Sequence, residues 1–403
     1  MTYTAMISGA GISGISCAIA LRKAGIEAVV YEGYDRTADD VGAFLTLAVN
    51  ALDALRALDF DVRRLGFETP RIRLTSASGR LIGDLPYGRV LRDGAASRTV
   101  KRAELYRALR EHAARQGVRI EYGKRLTHAR DTGDTGDGVV ATFADGTTAS
   151  GDLLIGADGL RSRTRELIDP AAPGVRYSGL VNVGGYARGV PAGGDPGTMH
   201  AIFGSRAFFA YAAHAHGEVW WAANLTRAAE PTAAELAMVG EQDWRAELME
   251  VFRRDHGPAV AFIEATDRIL APWTAYDVPV VPRWHRGRMI IIGDAAHATV
   301  PSIGQGAAMA IEDAVVLAKC LRDATDFGAA FAAYERLRRE RVERVVAQGR
   351  RTDGWKTPGP LTRIPRDLIM SLAMKRMART GHDPNHWIYE HHIDWDEPAR
   401  QSG

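Results

Sequence analysis

The spacing of apolar and polar positions sets out the opening of the chain as a short apolar run from Thr4 to Ser8, a cluster of glycines, helical spacing over Ser13 to Ala24, and a second apolar run from Ala28 to Glu32. Two continuous apolar runs flanking an amphipathic stretch predict a strand-turn-helix-strand unit, one half of a nucleotide-binding fold. Helices are expected from about Asn50 to Leu58 and from about Lys101 to Gln116, where Leu105, Leu109 and the alanines recur on one face. Between them, Arg71 to Gly88 reads as a hairpin turning at Ser78-Gly79. Residues 118–155 read as strands joined by the polar turn Asp131 to Gly138, the best place for a mobile loop.

The texture then changes. From about Arg176 to Pro279 the chain is rich in β-branched and aromatic runs, such as MHAIFGSRAFFAYAAHAHGEVWWAANL, broken by a helical stretch from Thr232 to Asp255. This predicts a largely antiparallel sheet forming a second domain. A buried strand at Arg288 to Ile292, a turn, and a helix from about Gly304 to Leu321 return to the first pattern. The expected division is therefore a discontinuous nucleotide-binding domain (1–70, 95–175, 280–355), a sheet domain (71–94, 176–279) and a helical end (356–403). The densely charged Ala329 to Arg351 is helical. The basic amphipathic segment Leu361 to Arg379, apolar at Leu361, Ile364, Leu368, Ile369 and Leu372, is expected to cover the first domain, with a membrane surface as the other use of such a helix.

Composition narrows the partners. With 51 basic and 49 acidic side chains and a net charge of +2, no global field favours nucleic acid or an anionic membrane. The two cysteines, Cys17 and Cys320, sit in apolar helical stretches without metal-ligand spacing, as expected of buried thiols in a reducing cytosol. The first residues lack the basic and small-residue features of a signal peptide, and no uncharged apolar run reaches the ~18 residues that span a bilayer. A soluble cytoplasmic enzyme is the expectation.

The first motif is Gly9-Ala10-Gly11-Ile12-Ser13-Gly14, between a strand and a helix, with Glu32 ending the next strand. Gly9 permits the tight turn, Gly11 lets backbone approach a pyrophosphate at the helix N-terminus, and Gly14 lets helix and strand pack closely. Glu32 suits a free ribose diol and would repel a 2′-phosphate. Gly9, Gly11, Ile12, Ser13, Gly14 and Glu32 are thus candidate contacts to an adenosine dinucleotide, and this motif alone does not choose between FAD and NAD. A second apolar strand, Met289 to Ile292, ends at Gly293-Asp294, where an aspartate can accept hydrogen bonds from a polyhydroxy chain. Gly304 and Gly306 open a helix whose free N–H groups can stabilise negative charge.

Two later segments resemble motifs of the para-hydroxybenzoate-hydroxylase-like family of flavoprotein monooxygenases. Asp152-Leu153-Leu154-Ile155-Gly156-Ala157-Asp158-Gly159-Leu160-Arg161-Ser162-Arg163-Thr164-Arg165 is similar to that family's Asp-Gly motif, and Gly293-Asp294-Ala295-Ala296-His297 with Pro301 and Gly304-Gln305-Gly306-Ala307-Ala308-Met309-Ala310-Ile311-Glu312-Asp313-Ala314 to its Gly-Asp motif. The resemblance implies FAD as the bound dinucleotide. It implies a glutathione-reductase-like, Rossmann-type α/β domain with an inserted antiparallel-sheet α+β substrate domain and a helical C-terminus. It adds Asp158, Asp294, Pro301, Gly304, Gly306 and Ala307 as cofactor contacts. Arg102, Leu126 and Gly42 are carried over by pattern, although Phe44 replaces a commoner small residue beside Gly42. Arg36 is a candidate for the basic residue that Gly33 displaces after the acid. His297 is expected to serve packing rather than catalysis.

The implied reaction begins with hydride transfer from NADH or NADPH to FAD, followed by O₂ addition at the flavin C4a position. The resulting hydroperoxide delivers oxygen to a small aromatic or polycyclic substrate. Because the flavin carries the chemistry, no catalytic acid-base residue is assigned. The expected substrate contacts are Phe203, Phe209, Tyr211 and Trp221 on the strands of the sheet domain, with Arg206 or His214 as weaker candidates for meeting a phenol. Epoxidation and Baeyer–Villiger insertion share the scaffold. A hydride-only reductase and a non-catalytic flavin-binding accessory protein are the alternatives. The oligomeric state is left open.

Overall fold

A computed structural model describes residues 3–35, 43–133, 138–192, 194–356, 363–380 and 383–399. Arg36, Gly42 and the tip of the turn at 134–137 lie outside them. The opening apolar runs form the centre of a six-stranded sheet, in the order His285–Arg286, Met289–Ile291, Leu153–Gly156, Thr4–Ser8, Glu27–Tyr31 and Arg119–Glu121. All neighbours are parallel except the first pair. Both faces of such a sheet must be covered, which is why its strands are apolar throughout. One face carries the helix Ile12–Lys23, buried from Ile12 to Leu21 because the helix Gly306–Asp323 packs across it. The other carries an antiparallel meander, Leu126–Asp131, Val139–Phe143 and Thr148–Gly151, tied down by a Tyr31–Phe143 stack at 4.8 Å. This is the Rossmann-type α/β half, and its strands come from three separate stretches of chain.

The second sheet runs Thr266–Ile269, Arg176–Ala187, Val219–Thr226, Ala207–Ala213, Thr198–Phe203, Arg71–Ser76 and Leu81–Pro86, with Trp273–Asp277 also paired to the long strand Arg176–Ala187. It is antiparallel except where Thr198–Phe203 meets the early hairpin in parallel. The hairpin turns at Gly79, whose φ of +75° suits glycine. The helical stretch after Thr232 is two helices: a capping box between Thr232 and Glu235 starts Ala233–Met238, and Gly240 begins Glu241–Phe252. The helices Glu241–Phe252 and Ala259–Glu264 bury one face of this sheet.

One expectation is overturned at the C-terminal end. The helix Arg363–Thr380 does not cover the first domain. Met370 packs with Leu74, Ile82, Ala201, Phe203 and Phe208 of the second sheet, and a Cβ on Gly83 would meet Met374 Cγ at 2.8 Å. An amphipathic pattern gives a helix an apolar face but no address, and Leu368, Ile369 and Leu372 remain exposed. The first domain is instead sealed by the last described residues: Ile388 and Ile393 enter its core, and His392 pairs with Asp53 at 2.8 Å. Among the described residues no helix is long and apolar enough to cross a membrane.

Candidate functional site: two glycine turns facing a sheet

The glycines of the first turn answer to different neighbours. Gly9 has φ +103°, and a Cβ there would sit 2.4 Å from the Ala157 carbonyl oxygen. A Cβ on Gly14 would sit 1.9 Å from the Gly9 carbonyl oxygen. Gly11 differs: its missing Cβ faces only the Tyr106 hydroxyl, at 3.6 Å. It is the N-cap of Ile12–Lys23 and no side chain caps that helix, so the first N–H groups, Ile12 and Ser13 among them, are available to an anion. Glu32 stands beside them, its carboxylate accepting from Ala10 N at 2.7 Å and Tyr34 N at 3.0 Å. Both bonds orient the group and leave further lone pairs for a diol. Leu126 is buried, so only its backbone can face a ligand; Lys124 N donates to Glu32 O at 2.7 Å and brings this segment alongside.

The opposite wall comes from the end of the chain. Gly293 has φ +59°, and a Cβ there would meet Ser13 Oγ at 2.6 Å, so the two glycine turns touch across 280 residues of sequence. Asp294 is exposed although every other residue from Met289 to Ala298 is buried. Arg102, also exposed, stacks over Tyr106 at 5.4 Å, and its guanidinium is favoured by Tyr106 first and then by the Asp294 carboxylate. Pro301–Ile303 form a 3₁₀ turn, Gly304 is left-handed at φ +63°, and Gly306 begins the long helix with no side-chain cap. Ala307 follows in its first turn. Asp158, by contrast, spends its carboxylate on its own loop, accepting from Ser162 Oγ at 2.5 Å and from Thr164 N and Oγ1 at 2.9 Å. It shapes the loop, and burial raises its pKa against those three bonds.

The second sheet closes the site. Ala43 O accepts from Arg102 N at 3.0 Å, and the Ala43 Cβ lies 3.4 Å from where a Gly184 Cβ would stand. The face holding Gly184 also carries its cross-strand neighbours Ala222 and Ala210. Both alanines are partly exposed within central strands otherwise almost entirely buried, so this face is open above a floor of small side chains. The expected aromatic contacts are elsewhere. Phe209, Tyr211 and Trp221 alternate to the opposite face, where they form the core under the helices Glu241–Phe252 and Ala259–Glu264. Phe203 is on the cleft-side face but is roofed by Met370 and the Arg366 guanidinium. Arg206 is an exposed surface residue paired with Glu250. His214 stands against Phe67 and His216, beside a cavity of about 730 Å³ lined by Arg64, Lys101, Arg188, Glu218 and Trp220.

Buried polar atoms test whether a flavin fits. Ser13 Oγ, at the contact of the two turns, and Gln305 Nε2, at the start of the long helix, are buried and have no partner among the described residues. A flavin, with a hydroxylated chain and an edge of carbonyl and N–H groups, supplies such partners. The open Gly11, the exposed Asp294 and these two atoms fit FAD together.

Comparison with known proteins agrees. A family model described as "FAD binding domain" matches residues 2–349. The chain belongs to this family. It is 33% identical over 349 residues to the aurachin C monooxygenase/isomerase of Stigmatella aurantiaca, covering 85% of this chain and 87% of that protein. It is 33% identical over 358 residues to a FAD-dependent urate hydroxylase of Klebsiella pneumoniae, covering 86% and 88%. The crystal structure of Klebsiella pneumoniae HpxO complexed with FAD and uric acid superposes with a TM-score of 0.83 at 28% identity, over 94% of this chain and 95% of that one.

In this FAD-binding-family enzyme, behind the cofactor wall, lies a buried ionic cluster that sequence reading missed. Arg338, fully buried, pairs with Asp313 at 2.7 Å and Glu312 at 2.8 Å, and Arg341 pairs with Glu312 at 2.8 Å. Burial alone would raise both carboxylates; their neighbours outweigh it, the His297 imidazole and the Arg338 guanidinium for Asp313, the Arg338 and Arg341 guanidinium groups for Glu312. Asp313 also accepts from Gly293 N at 2.9 Å and holds His297 at 2.5 Å, which fixes the turn before Asp294 and occupies His297 with positioning. Asn50 donates to Glu312 at 2.7 Å and to Gln305 Oε1 at 2.9 Å, so the same cluster orients Gln305. Tyr87, from the early hairpin, brings its hydroxyl to 3.0 Å from a Cβ on Gly304, and burial pushes its pKa up to about 12, so it stays a donor. Gln305, Glu312 and Asp313 lie within the Gly-Asp motif segment, whereas Asn50, Arg338 and Arg341, far away in sequence, carried no local signal that they pair with it.

Proposed function

We propose that this flavoprotein uses NADH or NADPH and O₂ to hydroxylate a small aromatic or heteroaromatic compound held between the Pro301 turn and the Gly184–Ala222–Ala210 floor. The observation that carries the reading is the meeting of the two cofactor turns, at Ser13 and Gly293, beside a sheet face whose central residues are small, with Ala210 and Ala222 partly exposed. Bound FAD supplies both hydride acceptance and oxygen activation. The chain's own work is then binding, orientation and exclusion of water. Gly11, Ile12, Ser13 and Glu32 are proposed to hold the adenosine and pyrophosphate side. Arg102 and Asp294 are proposed to hold the linker, with Gln305, Gly306 and Ala307 along the ring. A flat floor of glycine and alanine accepts a planar ring, while Trp220 and Phe44, 6.1 Å apart, close the side toward the polar cavity. Relatives named for urate and aurachin oxidation support a ring substrate. Buried, unpaired Cys17 and Cys320 accord with a cytoplasmic setting.

The test is a screen for compounds that stimulate NAD(P)H oxidation by the FAD-loaded protein under air, with ¹⁸O₂ used for any hit. Label in the product is the expected result. Turnover without label would make the protein a hydride-only reductase, and no stimulated turnover would favour an accessory role.

A further inference from the structure

We propose that the substrate floor has a built polar end, Asn182 held by Asn224 and Lys356, that binds an acceptor oxygen on the substrate ring, a ring carbonyl or a carboxylate. This deepens the monooxygenase reading and rests on it for the identity of the floor. Asn182 and Asn224 are directly opposed across two central strands, one step along the same face from the opposed pair Gly184 and Ala222. Two residues of antiparallel strand span about 7 Å, roughly the width of one aromatic ring.

The donors and acceptors of this cluster have only one consistent assignment. Lys356 Nζ has donors alone, so the atom of Asn224 that it meets at 2.9 Å must be the carbonyl oxygen. The Asn224 amide nitrogen is then the group that donates to Asn182, at 2.6 Å, and Asn182 accepts through Oδ1. Asn182 Nδ2 is left over. Asn182 is 2% exposed, and this N–H group has no partner among the described residues. Buried amide donors are nearly always paired, so one left over on the face that carries the partly exposed Ala222 points to a ligand acceptor. Its surroundings reinforce the direction: the Lys356 ammonium, itself buried, stands 4.0 Å over the Phe208 ring and supplies positive potential to the same end of the floor.

The long helix Phe327–Lys356 connects this end to the cofactor wall. A Cβ on its Gly349 would lie 3.1 Å from Thr299 Oγ1 and 3.4 Å from Val300, so the helix is seated on the Pro301 turn. Seven residues further on, about 10 Å of helix, it delivers Lys356 to Asn224. A ring lying on Gly184, Ala222 and Ala210 can therefore present one edge toward the Pro301 turn and a polar substituent toward Asn182.

The experiment uses the full-length, FAD-loaded protein and two matched pairs of probes: 4-hydroxybenzoate with p-cresol, and 4-quinolone with quinoline. Binding is followed by calorimetry and by perturbation of the flavin absorbance. In the wild type the member carrying the carboxylate (4-hydroxybenzoate) or the ring carbonyl (4-quinolone) should, in at least one pair, bind at least about tenfold more tightly than its partner, and which pair does so tells carboxylate from ring carbonyl. Asn182→Asp, which keeps the acceptor for Asn224 but replaces the free donor by an acceptor, and Asn182→Leu should both remove that preference while leaving p-cresol and quinoline binding and FAD retention unchanged; Asn182→Leu, which also unpairs the Asn224 amide, should lower the melting temperature, so the preference is read on protein shown to be folded at the assay temperature. Equal affinity within both pairs, no binding of any probe at millimolar concentration, or an equal loss for both members in the variants overturns the proposal. Failure of the two readings is separable. NAD(P)H oxidation stimulated equally by both members of a pair leaves the monooxygenase and sinks the polar end. Asn182-dependent binding without any stimulated oxidation does the reverse.

Discussion

Gly11 and Gly14 are both small because something comes close, but for Gly14 that something is the protein's own backbone. Gly14→Ala forces a Cβ onto the Gly9 carbonyl oxygen, 1.9 Å away, and neither partner is a flexible side chain. It should lower the stability of the apoprotein by about 3 kcal/mol or more. Gly11→Ala meets only the Tyr106 hydroxyl at 3.6 Å, so the apoprotein should melt within about 1 kcal/mol of the wild type. The same substitution fills the approach to the helix N-terminus and should weaken FAD binding by about tenfold or more. Thermal melts of apoprotein beside FAD titrations separate the two, and equal losses of stability would show that Gly11 is only a packing glycine.

At the scale of elements, the helix Gly306–Asp323 is aimed by side chains from elsewhere. Asn50, on the helix Val49–Ala57, holds Gln305 and Glu312 together. Asn50→Leu leaves both acceptors short of a donor in the interior and should cost about 1–3 kcal/mol, read by urea denaturation. It should also release FAD more readily, because Gln305 loses its orientation at the start of the helix. A variant that retains flavin as the wild type does would remove Gln305 from the cofactor site. Element identities were legible from spacing alone, since the apolar runs are continuous in the first sheet and the glycines punctuate them. The partner of the helix Arg363–Thr380 was not, because complementary apolar faces exist on both domains and sequence does not rank them.

For the whole molecule, the ionic cluster behind the site ties the Gly-Asp turn, the long helix and the chain end into one unit. Both carboxylates titrate below their ordinary values of 4.5 for Glu312 and 3.8 for Asp313. A depressed pKa contributes stability that is complete above the unfolded value and is lost as pH falls through the folded one. Denaturation midpoints should therefore be insensitive to these groups from about pH 5 upward and decline as the pH drops below about 4. Arg338→Met removes the cation that both share and should cost about 3–5 kcal/mol at neutral pH. With that partner gone, burial raises the carboxylates, and the variant should lose stability as pH rises instead. Midpoints measured across pH for both proteins check the sign, and parallel curves would show that the cluster contributes nothing specific.

What the sequence determined by itself is local. The order of apolar runs and glycines gives a strand-turn-helix its shape, because steric limits at Gly9 and Gly14 act over a few residues. The Gly-Asp strand end is readable for the same reason. Only the tertiary structure decided which aromatic residues the site keeps. In the run from Met199 to Leu225 both strand faces are apolar, so alternation fixes which residues share a face but not which face meets the cofactor. The large side chains Phe209, Tyr211 and Trp221 gain most from full burial under helices, and the opposite face, proposed here to meet the substrate, is left at its centre to Gly184 and the partly exposed Ala210 and Ala222.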